Sequence, residues 1–179
     1  MKTFREHAAP MSGAIAPTLA VALLAVLCCG GCAYRLGPTS TLDIKTVAVP
    51  NFKNQTTEAR ISVPITNAVI KRLQSDGSIR VVSEDTADAT LTGEIVSWQR
   101  TPVRYNIHNA YVPSQYQLVV TAHVVLTNNR TGKRIFDTHI AGTTSYFFGD
   151  DLAQAERQAM PLAADDLAKR ITDRIVDAW

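Results

Sequence analysis

Residues 114–127 read SQYQLVVTAHVVLT, and this stretch decides the fold. Side chains alternate across a strand, so Tyr116, Leu118, Val120, Ala122, Val124 and Leu126 share one face. Gln117, Val119, Thr121, His123, Val125 and Thr127 share the other. An apolar face backed by a mixed one marks an antiparallel strand covered on one side. Asn128 to Gly132 follow as a hairpin turn, with glycine where a positive φ is expected, and a second strand runs over 133–146. Upstream, the turn-rich and aromatic 101–113 (TPVRYNIHNAYVP) connects this strand to a long one over 89–100.

Two helices flank this meander. Ile61, Ile65, Val69 and Leu73 recur every four residues, which predicts an amphipathic helix from Ser62 to Gln74, with Ser62 as cap and Pro64 in its first turn. DIKTVAVP (43–50) precedes it as a β-branched strand and IRVVS (79–83) follows it as another. Ala155, Ala159, Ala163, Leu167, Ile171 and Ile175 trace the stripe of a C-terminal helix, which Pro161 starts or kinks. The order is β-α-β-β-β-α. Each helix needs a sheet face for its stripe, so the expected architecture is an α+β two-layer sandwich, with two helices on one face of a mostly antiparallel sheet. The uncovered face would hold Thr90, Thr92, Glu94, Val96, Trp98, Val119, Thr121, His123 and Val125. Its mixture of polar and apolar groups suits either a solvated face or a partner surface centred on Trp98, with Val96, Val119 and Val125 around it.

The first thirty-two residues read as an address. Lys2 and Arg5 precede an uncharged run over 14–27, and Gly30 and Gly31 close it, the layout of a secretory signal. At 1.5 Å per residue the run spans about 21 Å, short of the roughly 30 Å hydrocarbon core. All three cysteines (Cys28, Cys29, Cys32) lie here, so a disulfide has no partner in the remaining chain. LCCGG followed by CAY fits a bacterial lipoprotein signal with acyl chains on Cys32. Leu27 and Val26 leave processing at Cys29 as an alternative. Several acyl chains, at about 0.8 kcal/mol per buried CH₂, make the anchor permanent, and Ala33 after the cysteine points to the outer membrane. The division is a signal at 1–31, a lipidated tether at 32–42 and one domain at 43–179.

The charge balance, 18 Lys+Arg against 16 Asp+Glu for a net +2, argues against a nucleic-acid binder. Catalytic signatures are missing: no GxSxG, no phosphate-binding loop, no HExxH and no thiol after Cys32. His123 and His139 fall close together across the hairpin, near Asp137, where a metal site competes with the commoner cross-strand polar pair; His108 stands apart. No enzyme, metal or cofactor is expected.

CAYRLG at 32–37, TVAVPNFKNQT at 46–56, ITNAVIKRL at 65–73 and ADATLTGEIVSW at 87–98 together resemble the LptE family of lipopolysaccharide-assembly lipoproteins. That resemblance implies a helix-on-sheet lipoprotein that sits as a plug inside an LptD-type barrel and contacts lipopolysaccharide at the outer membrane. Arg100 and Arg104 at one end of the long strand, and Arg130, Lys133 and Arg134 at the hairpin, are the candidates for lipid A phosphates. A self-oligomerising secretion-channel lipoprotein, similar to CsgG, is the alternative.

Overall fold

The computed structural model describes residues 44–107, 111–147 and 151–178. The signal, the tether, Cys29, Cys32 and His108 lie outside the described residues. The elements in chain order are β1 (Thr46–Ala48), β2 (Lys53–Asn54), α1 (Ser62–Asp76), β3 (Arg80–Val81), a 3₁₀ turn (Glu84–Thr86), β4 (Ala89–Tyr105), β5 (Pro113–Asn128), β6 (Arg134–Phe147) and α2 (Leu152–Asp177). The strands form one sheet in the order β3-β1-β4-β5-β6, with β2 also pairing β4. The expected α+β sandwich is present. Its long ladders are antiparallel, while the short pairs β1–β3, β1–β4 and β2–β4 are parallel. Parallel neighbours need a crossover, and α1 supplies it between β1 and β3.

Both helices bury their expected stripes. Ile65, Val69 and Leu73 of α1, and Ala159, Ala163, Leu167, Ile171 and Ile175 of α2, pack on Leu118, Val120, Ala122, Val124 and Leu126 of β5 in one core. Burying a Leu or Ile side chain contributes about 1.5–3 kcal/mol, so this layer is the main source of stability. Close approach depends on two glycines. A Cβ on Gly142 would lie 2.5 Å from the Ala163 carbonyl oxygen and the Leu167 side chain, so glycine lets α2 settle on β6. A Cβ on Gly93 would lie 2.4 Å from the Phe52 ring, which joins the TVAVPNFKNQT segment to the ADATLTGEIVSW segment in space.

Local bonds fix the joints. Thr66 Oγ1 accepts the Phe52 N–H (3.0 Å) and donates to the Ser62 carbonyl. Asp88 Oδ2 accepts from the Lys45 N–H, the Thr46 N–H and the Thr46 hydroxyl at 2.8–3.1 Å, stapling the start of β1 to the start of β4. The Lys45 and Thr46 donors hold its carboxyl below the ordinary value of 3.8. The free edge of β6 is partly capped: Asp166 of α2 accepts the Thr143 N–H at 2.8 Å and pairs with Arg170. Burial pushes the Asp166 carboxyl up, but these donors outweigh it and hold it low.

Several boundaries differ from expectation. β4 runs on to Tyr105, so the first five residues of the supposed connector are strand. Ser62 is the first helical residue and makes no capping bond; Ile61 precedes it, buried. α2 begins at Leu152, capped by Asp151 accepting the Gln154 N–H, and Pro161 sits inside it, not at its start. Arg60 has φ 63°, the one non-glycine residue with positive φ among those described. For a side chain with a Cβ this left-handed backbone costs roughly 1–2 kcal/mol.

Candidate functional site

The bulge in β4 decides which groups face outward. Up to Ile95 the strand pairs Leu91 with Leu126, Gly93 with Val124 and Ile95 with Ala122, placing these on the helix side. The register then shifts, and Ser97 opposes Thr121 while Trp98 opposes Val120. Val96 is the extra residue, and it reverses the phase of everything after it. Trp98 was expected on the open face. It lies instead on the helix side, half-buried against the core, with its indole N–H donated to Glu156 of α2 at 3.2 Å. Arg100 turns with it and pairs with the same carboxylate. Of the four expected surface residues, Val119 and Val125 hold their place on the open face, opposite Gln99 and Thr92.

That face is chiefly polar. Glu94, His123 and His139 stand in register across β4, β5 and β6. Gln55 donates to Glu94 at 2.8 Å and Lys53 lies 3.6 Å from it. The His123 and His139 rings stack at 4.8 Å, and His123 Nε2 lies 2.6 Å from Asp137, which also receives Arg134. The His123 bond, then Arg134, hold the Asp137 carboxyl below its ordinary range. This is a cross-strand polar cluster. Among the described residues no group of three His, Cys, Asp or Glu side chains is arranged to hold a metal.

The basic candidates form two groups. Arg100 opposes Leu118, whereas the hairpin residues follow Asn128, ten strand positions or about 33 Å away. Three are tied to carboxylates: Arg100 to Glu156, Arg130 to Asp88 at 3.6 Å, and Arg134 to Asp137 at 2.6 Å. Arg104 and Lys133 are exposed.

The far end of the meander carries apolar surface, drawn from the expected connector at 101–113 and from Phe147. Ile107 is 92% exposed, Tyr111 94% and Phe147 69%; Val103 and Tyr105 are about half exposed. Pairing of Tyr105 with Pro113 and of Gln115 with Phe147 gathers them at one end of the sheet, beyond the packed helices. The signal in the sequence was the apolar content of 101–113, overshadowed there by turn residues. Close by, Tyr146 stacks on Tyr116 at 5.9 Å, and its buried hydroxyl has no hydrogen-bond partner among the described residues. Burial, then the Glu156 charge, raise that hydroxyl's pKa.

A search of curated proteins finds no match. Among solved structures, a hypothetical protein from Chlamydia trachomatis is similar at TM-score 0.52 and 12% identity, covering 74% of this chain and 95% of its own; this shows the fold alone. A minor lipoprotein from Acinetobacter baumannii (TM-score 0.46, 14% identity, 75% and 94% covered) and the PelC dodecamer from Paraburkholderia phytofirmans (0.44, 16%, 72% and 86%) are more distant. At those scores neither bears on oligomeric state, and the channel-subunit alternative gains nothing from them. The family model described as LptE, lipopolysaccharide-assembly, matches residues 44–178, the whole of the helix-on-sheet domain. The chain belongs to the LptE lipopolysaccharide-assembly family.

Proposed function

We propose that this protein is a non-enzymatic outer-membrane lipoprotein, anchored through Cys32, that serves as plug and assembly partner of an LptD-type β-barrel and contacts lipopolysaccharide. The observation that supports a partner most strongly, given the family, is the apolar end formed by Ile107, Tyr111 and Phe147. Monomeric proteins seldom leave such groups gathered in water, and aromatic residues dominate the energetics of interfaces. Val119 and Val125 extend the contact along the open face. Co-expression with the barrel tests the reading: a stable complex containing one copy of each chain is expected, whereas a large homo-oligomer of this chain alone contradicts it. Metabolic labelling with a radioactive fatty acid tests the anchor. Cys32→Ala should abolish the label, and undiminished label would move the site to Cys29.

For lipopolysaccharide, the hairpin with Arg130, Lys133 and Arg134 is the proposed contact, and Arg100 and Arg104 form a second basic group at the other end. Reversing charge at Lys133 and Arg134 together should weaken binding more than the same change at Lys71 and Arg72 on α1. Equal losses at matched salt would mean diffuse attraction and no site.

A further inference from the structure

A cavity of about 320 Å³ opens between the segment Glu58–Ile61 and the first turns of α2. Its wall is apolar, formed by Ile61, Trp98, Ala153 and Met160. Its mouth carries Arg60 and Arg157, neither ion-paired among the described residues. Of the two carboxylates at the cavity, Glu156 is engaged by Trp98 and Arg100, which leaves Glu58 as the one acidic group set against two guanidiniums. Two features of the chain converge here. The Val96 bulge is what turns Trp98 into this wall. Arg60 holds a left-handed backbone that glycine would adopt freely, and its side chain lines this cavity.

We propose that this cavity binds a small anionic amphiphile: one short aliphatic chain against Trp98 and Met160, with a carboxylate or phosphate head held by Arg60 and Arg157. The volume lies at the lower end of the roughly 300–1,000 Å³ typical of ligand pockets, which sets the size at a single short chain. Arginine's planar fork suits both head groups. The site lies on the helix side at the bulge, away from the basic hairpin, and it stands or falls independently of the barrel reading.

The test uses the full lipoprotein in nanodiscs of zwitterionic lipid, with Trp179→Phe leaving Trp98 as the reporter. Octyl phosphate, octanoate and uncharged octyl glucoside are titrated while tryptophan emission is read. A saturable change is expected with the anionic probes, with octyl glucoside weaker by about tenfold or more. The stronger of the two anions identifies the head group. Arg60→Gly should raise the half-saturation concentration without lowering Tm, because glycine relieves the backbone, and Arg157→Gln on the exposed helix surface should do the same. Equal responses to all three probes, no saturation, or titrations unaffected by Arg157→Gln would overturn the proposal.

Discussion

Strand β4 contrasts two regions of one molecule, divided by the bulge at Val96. In its inner half, Ala89, Leu91 and Ile95 are buried beneath the helices, and the β5 residues opposite them are equally dry. In its outer half, from Gln99 to Tyr105, nearly every side chain is exposed, and the strands project beyond the helical layer. The inner half satisfies itself. The outer half carries Val103 and Tyr105, each about half exposed, and ends beside the more exposed Ile107 and Phe147. On the proposed function, stability and partner recognition reside in different stretches of the same three strands, and substitutions should separate them.

The largest effect belongs to the inner half. Leu126→Ala should destabilise the protein by about 2–5 kcal/mol in urea unfolding, through lost burial and the cavity left behind. A loss below about 1 kcal/mol would mean the helices do not seal that face. Gly142→Ala comes next, at about 1–3 kcal/mol, because its Cβ meets the Ala163 backbone carbonyl, which cannot swing aside. No loss in Tm would show that α2 rides higher on β6.

Acid should loosen the inner half at its stapled edge. The Asp88 carboxyl is held below 3.8 in the folded protein, so the unfolded chain binds its proton more readily. Its contribution is complete above the unfolded value and is lost as pH falls through the lower, folded one. Asp88→Asn should lower stability at neutral pH and flatten its dependence on pH in that acidic window, so that the variant and the parent converge in acid. An unchanged acid limb would remove Asp88 from the account. The smallest stability effect is expected in the outer half: Ile107→Ser with Phe147→Ser should stay within about 0.5 kcal/mol, since both side chains already meet water.

The same contrast separates what sequence reasoning captured from what it missed. Stripes of four-residue spacing located both helices, and the alternation of 114–127 oriented β5, because burial imposes those periods directly. The phase slip at Val96 leaves no such trace. Glu94, Val96 and Trp98 alternate as smoothly as an unbroken strand, and only the partner's register shows that one residue is unmatched. Pairing is a property of two segments, so Trp98 was assigned to the wrong face. β2 is two residues long, too short for any period, and its parallel pairing with β4 follows from Phe52 seating on Gly93. The apolar end was misassigned for a different reason. Pro102, Asn106 and Pro113 signal turns, yet Pro102 lies within β4 and Pro113 begins β5.

On the proposed function, the barrel binds the outer end of the sheet. Co-purification of the Ile107→Ser, Phe147→Ser double variant with a co-expressed LptD-type barrel tests it most directly, with Tm measured on the same preparation. An unchanged Tm and a clear loss of barrel from the complex are expected. Full retention of the barrel by the folded variant would contradict it and move the interface to the open face around Val119 and Val125.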